Sequence, residues 1–415
     1  MTNAVKDSKK FPLLRNLQFS PLKQGEEQYI VLWDPSGLSA EKLIVPLSYF
    51  YLLQFFDGEH SLEQMAAEYL KKFGEFLVPD QIERLVTDLD DRLFLEGERA
   101  AAAHREAVAA YRNAPVRAAA FAGKGYEADA KKLTGQIAGC FTSKEGPPKK
   151  ESERKEQPIK GLVAPHYPIN EAGPIYAWAY KELQEAQSPD CFVIFGTCQA
   201  GLEQGFAVTD KDFETPLGVV KTDRAIVDAL RKKAGQYFSE ELAHKHEHSI
   251  EFQLPFLQQG VGKAKLITIV PILCAFPAAC LLDPAMKELH DRVQGFLATL
   301  KEVITASGKS VCVITSAELA HIGMRYGDSK PPTDFSFHRC MQTDMAMLKP
   351  VEEVNAEEFA KFIAKEGDSR RISGFAAIYS LLSLIGQGKG EVLRYDRGIT
   401  DQFNSTVTYA SITFW

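Results

Sequence analysis

The chain reads as an α/β protein, a mixed sheet covered by helices, with a small winged-helix-like module ahead of it. Three observations predict this. Short apolar runs rich in Val, Ile, Phe and Cys alternate with amphipathic stretches from Ile159 to the C-terminus, the pattern of strands buried between helix layers. Several of those runs stop abruptly at polar or ionisable residues, as strands do where a sheet opens onto a ligand. Upstream, turn and capping signals recur at intervals too short for the same fold.

Composition narrows the function classes. With 415 residues, 45% hydrophobic and 25% charged, the chain is long enough for two or three soluble domains. A net charge of −7 and a pI near 5.8 give no electrostatic footprint for nucleic acid. The start, Met1-Thr2-Asn3-Ala4 followed by lysines, shows no signal peptide. The most apolar run, Leu266–Leu282, is broken by Pro271 and Pro277 and reads as a buried strand entering a loop, so no membrane partner is expected. Seven cysteines lack CxxC spacing and several lie in apolar runs, which points to reduced core thiols and a cytoplasmic location.

In chain order, residues up to about Phe11 read as a disordered leader, and 1–98 as the N-terminal module. Tyr29–Trp33 reads as a strand, Asp34-Pro35-Ser36-Gly37 as a turn, and Leu43–Phe56 as an apolar helix. Ser61-Leu62-Glu63-Gln64 is a capping box opening a helix through Phe73. Pro79 opens another, with Ile82, Leu85, Val86 and Leu89 on one face, and Arg92–Leu95 closes the module as a short strand. The alanine-rich segment within 99–115 is a helical connector. The third part, 116–415, opens with a short apolar run, a glycine turn and an amphipathic helix to Cys140. Thr142–Pro158 is densely charged and reads as a mobile surface loop with solvated charges.

Strands are then expected at Ile159–Ala164, Cys191–Phe195, Leu266–Ile272, Val311–Thr315, Glu391–Tyr395 and Thr406–Phe414. Helices are expected at Pro174–Gln184 and Ala376–Ile385. The alternation in Thr406-Val407-Thr408-Tyr409-Ala410 predicts a half-exposed edge strand. Three strands end in His166, in Cys198 and Gln199, and in Glu318 and His321. One polar strand end would mean little; three predict a pocket. The stretch His244–Gln258 adds a histidine-rich word ahead of an apolar face of Ile250, Leu254 and Leu257, with a helix expected from Ser249 and His248 at its mouth.

These words resemble a known family. Ala164-Pro165-His166, Glu247-His248-Ser249-Ile250-Glu251, Leu254-Pro255-Phe256, Ser316–Gly323, Ile372-Ser373-Gly374 and Val407–Ala410 are similar to the Memo family, called AmmeMemoRadiSam system protein B in prokaryotes. The resemblance implies a Memo/extradiol-dioxygenase-like fold, related to the class III extradiol dioxygenases, over 116–415. It implies a pocket lined by His166, Gln199, His248, Glu318, His321 and Ser373. It also implies that members binding iron or copper use the positions of His166, Gln199 and Ser373. Two of those three are an amide and a hydroxyl here, poor ligands beside imidazole or thiolate. The segment FFDGEHSLEQMAAEYLKKFG resembles PqqD-like peptide-binding modules found with radical-SAM enzymes, which implies a peptide or a radical-SAM protein as partner.

The readings that follow differ in class. One is a pocket for a small molecule or peptide with acid–base groups His248, Glu318 and His321, ligand-lining His166, Gln199 and Ser373, and the metal site degenerate or rearranged. Another is a dioxygenase-like redox enzyme holding iron or copper at His166, Glu318 and His321, with His166 the metal ligand in common. A third is a scaffold that works through its N-terminal module. Ser373 lacks a nucleophile-elbow sequence and Cys198 ends an apolar strand, so both read as structural. His244 and His246 read as surface residues, and His60, His104, His290 and His338 carry no signal.

Overall fold

The computed structural model describes residues 10–25, 27–263 and 266–415; the expected disordered leader lies almost wholly outside them. It divides into two compact units, one ending at Ala114 and one spanning Pro115–Trp415.

In the first unit, β1 (Gln18–Gln24), β2 (Glu27–Trp33) and β3 (Lys42–Pro46) form an antiparallel sheet in that order. Helices Leu47–Leu53, Leu62–Phe73, Pro79–Asp91 and Glu98–Asn113 follow. Ile30, Leu32, Leu52, Phe56, Met65, Ile82, Leu89 and Phe94 make its core. The Ser61 capping box forms as the sequence predicts, with Ser61 N donating to Gln64 Oε1 at 2.7 Å. Two expectations fail. The apolar run Leu43–Phe56 is not one helix: its β-branched start, Ile44-Val45, stays extended in β3, and the helix begins only after Pro46. Arg92–Leu95 is not a strand either, contributing a single bridge between Leu14 and Leu95.

The second unit is built on an eleven-stranded mixed sheet among the described residues. Its strands are β4 (Val116–Arg117), β5 (Gly161–Ala164), β6 (Cys191–Thr197), β7 (Phe206–Val208), β8 (Asp212–Thr215), β9 (Gly218–Thr222), β10 (Thr268–Cys274), β11 (Val311–Ser316), β12 (His321–Ile322), β13 (Gly390–Ile399) and β14 (Thr406–Phe414). The order is β12-β14-β5-β11-β6-β10-β9-β8-β4, with β13 on β14 and β7 on β10. β5, β11, β6, β10 and β9 run parallel, and β14 closes against β5 antiparallel. The strand β6 shows why the apolar runs are unbroken: Cys191, Val193 and Phe195 face one helix layer while Phe192 and Ile194 face the other.

β14 corrects the edge-strand expectation. All nine of its residues are buried, between β13 on one side and β12 and β5 on the other. Its hydroxyls find partners inside: Thr408 Oγ1 donates to Asp344 Oδ2 at 2.7 Å, and Ser411 Oγ donates to the Ile175 carbonyl. The charged stretch Thr142–Pro158 has neither helix nor strand beyond Thr142, but its charges are not simply solvated. Ser152 bonds to Glu182 and Glu185, and Arg154 to Glu391 at 2.6 Å.

Candidate functional site

Because β5, β11 and β6 are adjacent and parallel, their carboxyl ends emerge side by side. Polar bonds tie those ends together. Thr197 Oγ1 donates to the Ser316 carbonyl at 3.0 Å, and Ala317 N donates to the Ala164 carbonyl at 3.0 Å. Gln253 Nε2 donates to the Pro165 carbonyl at 3.0 Å and Ser316 Oγ at 2.7 Å, while its Oε1 accepts from Tyr180 Oη at 2.9 Å. Gln253 belongs to a short 3₁₀ turn, Glu251–Gln253, and the α-helix proper is Leu254–Gln259. The expected helix from Ser249 therefore starts later, leaving residues 247–250 irregular.

That irregular segment carries the centre of the site. Glu247 Oε1 accepts from His166 Nε2 at 3.0 Å, from the His248 amide at 2.7 Å and from the Ser249 amide at 2.9 Å. His248 Nδ1 lies 3.3 Å from the same oxygen. Gln199 contributes through its backbone, whose N–H donates to Glu247 Oε2 at 3.2 Å, and its side chain is exposed. The His166 and His248 rings lie 4.2 Å apart, centre to centre. His166 is fully buried, and a quarter of the His248 side chain is exposed.

A second pair sits beyond β11. Glu318 Oε2 lies 3.1 Å from His321 Nε2, and His321 Nδ1 faces the carbonyls of Leu319 and Arg371 at 3.2 and 3.1 Å. Ser373-Gly374 packs against the Glu318 backbone: the Gly374 amide bonds to the Glu318 carbonyl at 2.9 Å, and a Cβ on Gly374 would meet that oxygen at 2.4 Å. Ser373 Oγ is buried without a protein partner, as are His166 Nδ1 and Ser249 Oγ.

Charge separates the imidazoles. For His166, burial works against the proton, but the Glu247 hydrogen bond and the charges of Glu247 and Glu318 lift it above the usual histidine range. For His248, burial and the neighbouring His166 charge win over Glu247, and its pKa falls to about 4. Near neutral pH His248 is thus a neutral imidazole beside a group that prefers its proton. Burial pushes the Glu247 and Glu318 carboxyls up, but the facing histidines hold both below the usual range, Glu247 far below. Burial and the Glu247 charge push the Cys198 thiol up, so it is no activated nucleophile.

Of the residues singled out from the sequence, His166 and His248 meet directly. Glu318 and His321 form their own pair, with the Glu318 charge acting on both His166 and His248. The ligand atoms of His166, Glu247 and His248 all lie within 4.8 Å of one another, and among the described residues no such group joins His166 to Glu318 and His321. The metal positions implied by resemblance do not fit a transition metal: Gln199 offers an amide on an exposed side chain and Ser373 a buried hydroxyl.

Four residues escaped the sequence reading in their present roles: Arg117, Glu247, Glu251 and Gln253. The available signal was Glu247 and Glu251 standing four apart at the head of the apolar face of Ile250, Leu254 and Leu257. His244 is corrected as well. It is buried, its Nε2 donates to the Ala207 carbonyl at 3.0 Å, and burial lowers its pKa to about 3, so it is a neutral structural histidine.

Comparison with known proteins places the chain. The family model described as "Memo-like protein" matches residues 117–413. A MEMO1 family protein of Aquifex aeolicus is 25% identical over 405 residues, covering 96% of this chain and 99% of that protein. One from Methanopyrus kandleri is 29% identical over 310 residues, covering 72% of this chain and 98% of its own length. One from Ignicoccus hospitalis is 30% identical over 254 residues, 60% of this chain and 80% of its own. The Aquifex alignment runs through both units, whereas the family model is confined to the second. The chain belongs to the Memo-like protein family, and its eleven-stranded unit is the domain that carries the membership.

Proposed function

We propose that the second unit binds a small molecule at the ends of β5, β6 and β11, with His248 as the group that exchanges a proton with it. The observation that carries this reading is the pairing of a neutral, partly exposed His248 with a buried His166–Glu247 pair. Groups whose surroundings push their pKa values apart divide into acid and base. Glu247 orients both rings, and Glu318 with His321 supplies a second polar wall. Ser373 and the exposed Gln199 line the same opening, and no step is assigned to either. A peptide partner for the first unit rests on its PqqD-like segment alone, a radical-SAM partner on the same resemblance, and a cytoplasmic location on the free cysteines. No helix of the described residues is long and apolar enough to cross a membrane.

A second reading has an observation of its own. The close grouping of His166, Glu247 and His248 matches the donor types of a divalent-metal site. One experiment separates the two: elemental analysis of the purified protein, with a thermal-shift screen of small molecules on wild type and His248→Ala. Metal below a tenth of stoichiometry (on the order of adventitious loading), with ligand-induced stabilisation lost in His248→Ala, supports the proton-exchanging site. Stabilisation by a ligand at a hundred times its dissociation constant would be about 2.7 kcal/mol. Near-stoichiometric metal that disappears in both His166→Ala and His248→Ala would overturn it in favour of the metal site.

A further inference from the structure

The His248 segment is held from a distant part of the chain. Arg117, in β4, reaches residues more than a hundred positions away and is completely buried, as is Glu251. Its Nε donates to the His244 carbonyl at 2.9 Å and its Nη2 to the Glu247 carbonyl at 2.7 Å. Its Nη1 donates to the Ala118 carbonyl at 2.9 Å and to Glu251. Glu251 also accepts from the amides of Ala120 and Phe121, at 3.2 and 2.9 Å, and from the Tyr126 hydroxyl. The Phe121 ring lies 4.9 Å from the His248 ring, and the Phe252 ring lies 4.8 Å from it.

From this geometry we propose that Arg117 and Glu251 are a positioning pair for His248. Arg117 fixes the backbone on the N-terminal side of His248 through two carbonyls, and Glu251 fixes the backbone that carries the Phe121 ring against it. The planar guanidinium is required, because a lysine ammonium is a single point and lacks the rigid fork that reaches both carbonyls and the carboxylate. A buried ion pair is a weak source of stability, since removing two charges from water costs about what their attraction returns. Retaining one here, aimed at backbone rather than at another side chain alone, points to geometry as its product. The inference rests on the reading of His248 as the working imidazole, but not on the identity of any ligand.

The test uses the full chain labelled with ¹⁵N and ¹³C at histidine, with His248→Asn to assign the signals. Wild type should give one sharp set of His248 imidazole resonances. The double variant R117M/E251M removes both charges together, so neither is stranded. It should retain cooperative unfolding and native circular dichroism while the His248 signals shift and split. Arg117→Lys should not restore them, because charge without the fork is insufficient. A folded double variant with native His248 signals would overturn the proposal. Should the double variant not fold, Glu251→Gln serves: it keeps the shape but turns one oxygen into a donor facing existing donors. Unchanged His248 signals in folded Glu251→Gln would overturn the proposal equally. These spectra are recorded without ligand, so a screen that finds no small molecule refutes the binding reading and leaves this inference standing.

Discussion

Two of the buried polar networks in the second unit, those around Asp344 and Glu247, are built differently. Around Asp344, which is fully buried, every polar group is answered: Arg370, Tyr395 Oη at 2.7 Å and Thr408 Oγ1 at 2.7 Å all donate to its carboxylate, and Arg370 also reaches Glu366 at 2.8 Å. Around Glu247 the carboxylate is equally well served, yet His166 Nδ1, Ser249 Oγ and Ser373 Oγ nearby are buried without protein partners. Native interiors leave few such atoms unpaired, since each costs about 1–3 kcal/mol. A closed network is a fastening. On the proposed reading, a network with open atoms and one partly exposed member is where the ligand would find hydrogen bonds to complete.

The sharpest way to break this comparison is Arg370→Met. It leaves the Asp344 charge buried without its cation, and unfolding in denaturant should show a loss of about 3–5 kcal/mol. A loss below about 1 kcal/mol would mean the Asp344 network is no fastening. Next come the hydroxyls. Thr408→Val should cost about 1–3 kcal/mol by leaving Asp344 and the Ala320 amide short of a partner. Ser373→Ala removes a buried hydroxyl with no protein partner and should leave stability unchanged or raise it by up to about 1–3 kcal/mol. Equal costs in the two variants would erase the distinction.

The smallest effect is a pH dependence of the open network. The folded-state pKa of His166 lies above its unfolded value, so its contribution is complete below the unfolded pKa of about 6.5 and is lost as pH rises through the raised value. The folded pKa of Glu247 is depressed, so its contribution is present above about 4.3 and is lost as pH falls toward the lowered value. Stability of wild type relative to His166→Asn should therefore be greatest between about pH 4.5 and 6.5 and shrink on the alkaline side. A flat difference from pH 5 to 9 would show that the pair is not ionised as described.

Much of this was legible without coordinates, and the reason is local. Apolar runs that end at His166, Thr197-Cys198-Gln199 and Ser316 mark strand ends wherever the chain is read, because ionisable and amide side chains are seldom buried within a strand. The capping box at Ser61 and the start at Pro79 likewise depend on neighbours only a turn away. Errors arose where the deciding partner was remote. Thr408 looks solvent-facing in sequence, and only Asp344, sixty-four positions earlier, makes it an interior residue. His244 stands among charged residues and looks exposed, yet its partner is the Ala207 carbonyl.

By itself, then, the sequence determined the family, six of the eleven strands of the second unit, and that His166, Glu318 and His321 stand where apolar runs stop. The tertiary structure alone decided that His166 pairs with Glu247 rather than with Glu318, that Gln199 takes part through its backbone, and that Arg117 and Glu251 brace His248. Periodicity and capping are short-range and leave their mark in consecutive residues. Ionic and hydrogen-bond partnership is set by which strand lies beside which, and β5, β11 and β6 are neighbours only once the sheet has formed.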